Sequence, residues 1–196
     1  MSDFLLDLAQ NKAARGVIKR LGLPLPLPEK LRRSAAPWSE RELDGMAFLV
    51  AAGPRPALLD AVAATLARDG AEAKLVGMEL DVEPFARPAE AWSRPLELWA
   101  QVPPGARLDG VVLDASGLAG PDDLVVLYRA IGPALAALGR SSRVLVLGRP
   151  DDAAATPAAA AASHALDGFV RSVAKEVGRR GAPPSACWSR PAPRVG

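Results

Sequence analysis

The sequence predicts an α/β domain, with a mainly parallel sheet between layers of helices. Three observations lead there. From Gly45 onward, short apolar runs alternate with longer segments that repeat their apolar residues at helical spacing, the pattern of a parallel sheet covered by helices. Hydrophobic residues make up 49% of the chain, yet bulk comes from only four Phe, four Trp and one Tyr, so Leu and Val must build the core. The length, 196 residues, suits one domain with a sizeable core.

Ser2 or Asp3 can cap a helix in which Phe4, Leu5, Leu8, Val17, Ile18 and Leu21 fall near helical spacing, with polar Asp7, Gln10, Asn11 and Arg15 between them. This reads as an amphipathic arm that docks. In GLPLPLPEKL, Pro24, Pro26 and Pro28 remove backbone donors and extend the chain, which leaves Leu23, Leu25 and Leu27 free to grip a surface. A ligand for a proline-binding module is the weaker reading, because an apolar helix lies so close. Residues 1–44 are therefore taken as a helix and strap ahead of the domain proper, 45–182.

Within that domain, Met46 to Gly53 reads as a buried strand, Ala57 to Gly70 as a helix with a Gly stop, and AEAKLVGM as a second strand ending near Met78. Residues 79–105 carry five prolines and are the least legible; LELWAQV is read as a short helix. Leu108 to Gly117 gives the next strand. Pro121 opens a helix that repeats Leu124, Val125, Tyr128, Ile131, Leu135 and Leu138, and Pro133 should bend it. SRVLVLGRP is a further strand, and an Ala-rich segment from Pro157 leads into the helix ASHALDGFVRSVAKEVGRRG.

Composition excludes several function classes. A net charge of +2, from 24 basic and 22 acidic residues, supplies no broad field for a phosphate backbone, so nucleic acid is not an expected partner. One cysteine, Cys187, excludes an internal disulfide, and one histidine, His164, leaves metal binding to carboxylates; no metal site is expected. Asp3 and Asp7 break the pattern of a leader peptide, and no apolar run is long enough to span a bilayer. A cytoplasmic address without membrane contact is expected.

The helix from Ala162 to Gly181 resembles the active-site helix of the short-chain dehydrogenases, in which a Tyr and, four residues later, a Lys precede an A-L-x-G-F-x-R-S run. That pair works because an ammonium lowers the pKa of a neighbouring phenol, which then exchanges a proton with the substrate oxygen. Registered on Ala165, Leu166, Gly168 and Phe169, the Tyr slot falls on Ala159 and the Lys slot on Ser163. Tyr128, the one tyrosine, has Gly132 four residues on. The place of the family's catalytic Ser, at the end of SRVLVLG, holds Gly148 or Arg149.

The dinucleotide turn is equally altered. Bare glycine backbone lets a pyrophosphate approach a helix N-terminus. Here the chain reads AAGPRPALL: Gly53 remains, Ala57 and Leu59 stand in the other glycine slots, and Pro54 and Pro56 remove two amides. Arg55 could meet an anion, although a solvated loop charge is the plainer reading. Where the family has Asn-Asn-Ala-Gly, this chain has Asp114 to Gly117, DASG. His164 beside Ser163, with Asp167, suggests a Ser-His-acid set, but adjacent helical residues point about 100° apart. Cys187 has no basic group placed to activate it. KEVGRR, Lys175 to Arg180, reads as a charged helix end facing the C-terminal dipole.

MSDFLLDLAQN, the LGLPLPLPEKLRR strap, the altered turn and ALDGFVRSVAKEVGRRGA together resemble the N-terminal domain of two-domain, high-molecular-weight bacterial 3-oxoacyl-acyl-carrier-protein reductases, over Met1 to about Ala182. The resemblance implies a Rossmann/flavodoxin-like three-layer sandwich that holds no cofactor and accompanies a separate reductase domain of fatty-acid metabolism. It also implies a non-catalytic structural or interaction domain, partnered by a reductase domain or by a second copy in a homodimer. The alternative is a residual nucleotide or acyl-carrier ligand binder at the strand ends near Gly53, Asp114 and Gly148.

After Gly181 the sequence departs from that family. Residues 183–196, APPSACWSRPAPRVG with its preceding Ala, contain Pro183, Pro184, Pro191 and Pro193, which cannot form a central strand. A disordered tail is expected from Pro183, with the strand Arg143 to Leu147 left uncovered at the sheet edge and Trp188 exposed or folded over it. Such composition is also what GC-rich coding DNA yields out of frame, so a frameshifted or truncated product is the expectation.

Overall fold

In AFLVAA, Ala47–Ala52, small and branched apolar residues leave no polar face, and the segment forms the central strand β1 of the sheet. Leu49 and Val50 are wholly buried, one on each face. The computed structural model describes residues 39–77 and 80–190, together with Arg20 and Pro37. The amphipathic arm and most of the Leu-Pro strap lie outside these described residues.

After β1 the chain runs through α1 (Leu59–Asp69), β2 (Glu72–Val76), α2 (Glu83–Ala91), β3 (Leu96–Trp99) and β4 (Leu108–Asp114). It continues through α3 (Val125–Ala137), β5 (Leu138–Gly148), α4 (Pro157–Val177) and β6 (Pro184–Trp188). All five strand pairings are parallel, and the strand order is β3-β2-β1-β4-β5-β6. Connections run one way from β1 and the other way from β4, so the topological switch point lies between those two strands. The Rossmann-like three-layer arrangement expected from the sequence is the one observed.

Two apolar layers hold the sandwich. Leu49, Leu113, Val146, Ile131 and Leu166 belong to the layer under α3 and α4. Val50, Leu66, Leu75 and Phe85 belong to the one under α1 and α2. A fully buried Leu, Val or Phe contributes about 1.5–3 kcal/mol relative to exposure, so these layers account for the Leu and Val bias of the composition.

Local signals set the helix ends. Gly70, at φ +95°, closes α1 in the left-handed conformation, and a Cβ there would press on Asp44. Thr156 accepts a hydrogen bond from the Ala159 amide (3.1 Å), and Pro157 opens α4 where no amide is required. Pro121 opens a 3-10 turn, Pro121–Leu124, which passes directly into α3.

Two expectations need correction. LELWAQV does not form a helix, because Leu96–Trp99 pairs with β2 as the edge strand β3. Its alternation of apolar and charged residues is the period of a strand, and four residues are too few to separate that from a helical turn. The chain after Pro183 is not a disordered tail through its first residues either. Pro184–Trp188 forms β6, paired with β5 from Val144↔Pro184 to Gly148↔Trp188, and so covers the edge that was expected to lie open. Proline forbids a central strand, but an edge strand bonds on one side and accepts Pro at its first residue. Residues 191–196 lie outside the described residues.

Candidate functional site

In an open parallel sheet, ligands bind outside the carboxyl ends of the strands, at the switch point. Here that is the gap between β1 and β4, and the protein's own groups fill it. The Gly53 amide donates to the Asp114 carbonyl at 2.8 Å. The Asp114 carboxylate, wholly buried, accepts from the Leu58 amide at 2.7 Å through one oxygen and from the Ser116 amide at 2.9 Å through the other. The Ser116 hydroxyl accepts from the Ala57 amide at 3.0 Å.

Amides that precede a helix are what a phosphate would seek. Ahead of α1, Pro54 and Pro56 have none, and those of Gly53, Ala57 and Leu58 are taken internally. A carboxylate at that helix N-terminus supplies the negative charge that the helix dipole favours. Asp60, in the first turn of α1, adds a second.

Backbone closes the same gap sterically. A Cβ on Gly117 would overlap the carbonyl oxygens of Pro54 and Arg55, so the DASG and GPRP turns touch directly. Arg55 adopts φ +53°, outside the usual range for a residue with a side chain, and clamps the contact. Its guanidinium donates to the Gly117 carbonyl at 3.2 Å and pairs with Asp123 at 2.8 Å. Arg55 therefore serves an internal carboxylate. Leu59 points into the core under α1, whereas Ala57 is exposed.

Beside the closed gap, at the ends of β1 and β2, lies a cleft of about 690 Å³. Its charged lining comprises Asp81, Asp122, Asp123, Arg55 and Arg129. Three carboxylates against two guanidiniums, one of them already paired with Asp123, make poor surroundings for a dianionic pyrophosphate.

At the β5–β6 end of the rim, bulky side chains do the closing. A Cβ on Gly148 would meet Leu166 Cδ1 at 2.6 Å and the Trp188 ring at 2.7 Å. Of the three positions that the sequence resemblance singled out, Ala159, Ser163 and Arg149, two are joined: the buried Ser163 hydroxyl donates to the Arg149 carbonyl. Ala159 sits in the first turn of α4, where its amide serves the Thr156 cap. His164 is exposed with Nδ1 3.9 Å from Asp151, and Asp167 pairs with Arg171 at 2.8 Å instead of supporting the histidine. No nucleophile, base and acid converge at this corner. Tyr128 is 76% exposed on the outer side of α3, and Cys187 is exposed on β6. Among the described residues no group of three or more His, Cys, Asp or Glu could hold a metal ion, and no helix is long and apolar enough to cross a membrane.

The fold is that of the short-chain dehydrogenase/reductases. A short-chain dehydrogenase/reductase from Serratia marcescens is similar at 17% identity, with 74% of each chain covered and a TM-score of 0.57. A dehydrogenase/reductase from Sinorhizobium meliloti is similar at 18% identity, covering 73% of this chain and 71% of its own, with a TM-score of 0.57. BdcA, solved in complex with NADPH, is similar at 20% identity over 74% of this chain and 70% of its own, with a TM-score of 0.55. No protein-family model matches the sequence, and no curated protein matches it.

Within that fold the informative residues are Asp114 and Ser116: the sequence marked Asp114 as a possible ligand contact in the DASG turn, whereas both side chains are spent on backbone amides. The available signal was an Asp closing a buried, mostly apolar strand. Such a carboxylate must find donors, and the nearest are the amides of the neighbouring turn.

Proposed function

We propose that this chain is a non-catalytic structural or interaction domain of reductase descent, which does its work beside an active reductase domain or a second copy of itself. The observation that carries the reading is the internal occupation of the switch point: Asp114 and Ser116 hold the amides of Leu58 and Ala57, where a dinucleotide phosphate would bind. The emptied slots at Ala159, Ser163 and Arg149 support it, since a hydride transfer also needs a proton donor at the substrate oxygen.

The link to 3-oxoacyl-acyl-carrier-protein reductases, and through them to fatty-acid metabolism, rests on the N-terminal signature and the ALDGF helix. It is part of the same proposal, as is the absence of a bound cofactor. The cleft of about 690 Å³ favours one second reading, a ligand held at the strand ends beside Gly53. Asp114 and Gly148 do not contribute to such a site, the first being buried and the second covered by Leu166 and Trp188.

The test is NADPH-dependent reduction of an acetoacetyl thioester, measured for the unaltered chain and for Ala159→Tyr combined with Ser163→Lys. Neither should turn over, because restoring the proton-transfer pair leaves the phosphate turn occupied. Turnover by either protein would overturn the reading.

A further inference from the structure

The two faces of the sheet are covered unequally. On one, α3 and α4 lie over β1, β4, β5 and β6. On the other, among the described residues, α1 and α2 are the covering helices, and they sit towards the β1, β2 and β3 side. Next to α1 this leaves a groove of about 260 Å³ whose floor is Val112, Leu145 and Leu147. Its wall is one side of α1, from Leu58 through Ala61 and Val62 to Thr65. None of these residues is charged, and the volume suits a few apolar side chains better than a cofactor. Ala61 and Thr65, exposed and one turn apart, are small enough to let a second helix come close.

The position from which the earlier part of the chain enters indicates the occupant. The Leu43 amide donates to Asp69 at 3.0 Å, and the Gly45 amide to Gly70 at 3.3 Å. Residues 43–45 therefore lie against the C-terminal end of α1, the helix that walls the groove. α1 is 11 residues long, about 16 Å. The stretch from Gly22 to Trp38 can span roughly 50 Å when extended, so its length does not restrict the segment before it. That segment carries the apolar stripe Phe4, Leu5, Leu8, Val17, Ile18 and Leu21.

We propose that the N-terminal arm, residues 4–21, docks as a helix in this groove on its own chain, its apolar stripe against Val112, Leu145 and Leu147 and against the Ala61/Thr65 side of α1. The arm thereby supplies the helix that the β4–β6 half of this face lacks among the described residues.

The single native cysteine makes the proposal measurable in the full chain. Cys187 is exposed and lies beside Leu147 in the β5–β6 register, on the face away from Trp188. A nitroxide there, paired with a second at Gln10→Cys on the polar side of the arm, should give one narrow distance within about two helix diameters, about 20–25 Å. Diluting the labelled chain tenfold with unlabelled chain should not change it. Ala61→Arg should lengthen and broaden it, with secondary structure and melting cooperativity retained because Ala61 is exposed. Thr65→Arg, one turn along, serves the same purpose if Ala61→Arg fails to fold. A broad distribution in the unsubstituted protein, loss of the short distance on dilution, or indifference to a folded arginine variant would each overturn the proposal. Loss on dilution would assign the groove to a second copy.

Discussion

The sheet's carboxyl rim is closed by different means at its centre and at its β6 end. Between β1 and β4 the closure is polar: a wholly buried carboxylate and a buried hydroxyl hold backbone amides, and two turns press together at Gly117. Beyond β5 it is apolar, with Trp188 and Leu166 over Gly148. The polar closure joins groups that would each be costly if left unpaired in the interior, so it is intolerant of change. The apolar closure is partly open to solvent, with Trp188 42% exposed, and should be forgiving.

Gly117→Ala should have the largest effect. Its Cβ meets backbone oxygen, which cannot swing aside, so a loss of about 3 kcal/mol or more is expected in urea unfolding, at the upper end of overpacking costs. Asp114→Ala should come next. It leaves the amides of Leu58 and Ser116 without their acceptor, for about 2–3 kcal/mol. Trp188→Ala should cost only about 1–2 kcal/mol, below the value for a fully buried ring. If thermal and urea unfolding ranked Trp188→Ala above Asp114→Ala, the contrast between the two closures would fail.

A fourth and smaller effect provides a comparison away from the rim. Lys74, buried on β2, bonds Glu97 at 2.6 Å and Glu72 at 3.0 Å. Burial works against the Lys74 ammonium but is outweighed by the Glu97 and Glu72 carboxylates, so its pKa is raised. Hydrogen bonds from Lys74 and then from Trp99 lower that of Glu97. A lowered carboxyl pKa contributes stability above its unfolded value, near 4.3, and loses it as pH falls through the folded value. A raised Lys pKa contributes below about 10.4 and loses it as pH rises through the folded value. Lys74→Met should flatten the stability profile at both extremes while leaving the rim unchanged. An unaltered acid limb would show that this pairing is too solvated to matter.

The strands and helices with clear periods were legible in the sequence, and the rim was less so. Met46 to Gly53 announced β1 because nothing in it is polar, and the Gly70 stop marked the end of α1. β3 and β6 were missed for a shared reason. Both are short edge strands whose pairing is decided by the neighbouring strand, β2 for Leu96–Trp99 and β5 for Pro184–Trp188, and local propensity says little there. The register that sets Ala159 and Ser163 at the Tyr and Lys positions of the resembled helix is local, four residues apart on one helix, and needs spacing alone. The hydrogen bonds of Asp114 and Ser116 to the first turn could not be read that way, because their partners, Leu58 and Ala57, lie 56 and 59 residues away in the chain.

The central claim is that the switch point is occupied by the chain's own carboxylate and so takes no dinucleotide. Isothermal titration of the unaltered protein with NADPH, and separately with NADH, tests it most directly. The account predicts no saturable heat up to millimolar nucleotide. Saturable binding in the micromolar range, with protection of the Ala57 and Leu58 amides from hydrogen exchange, would contradict it.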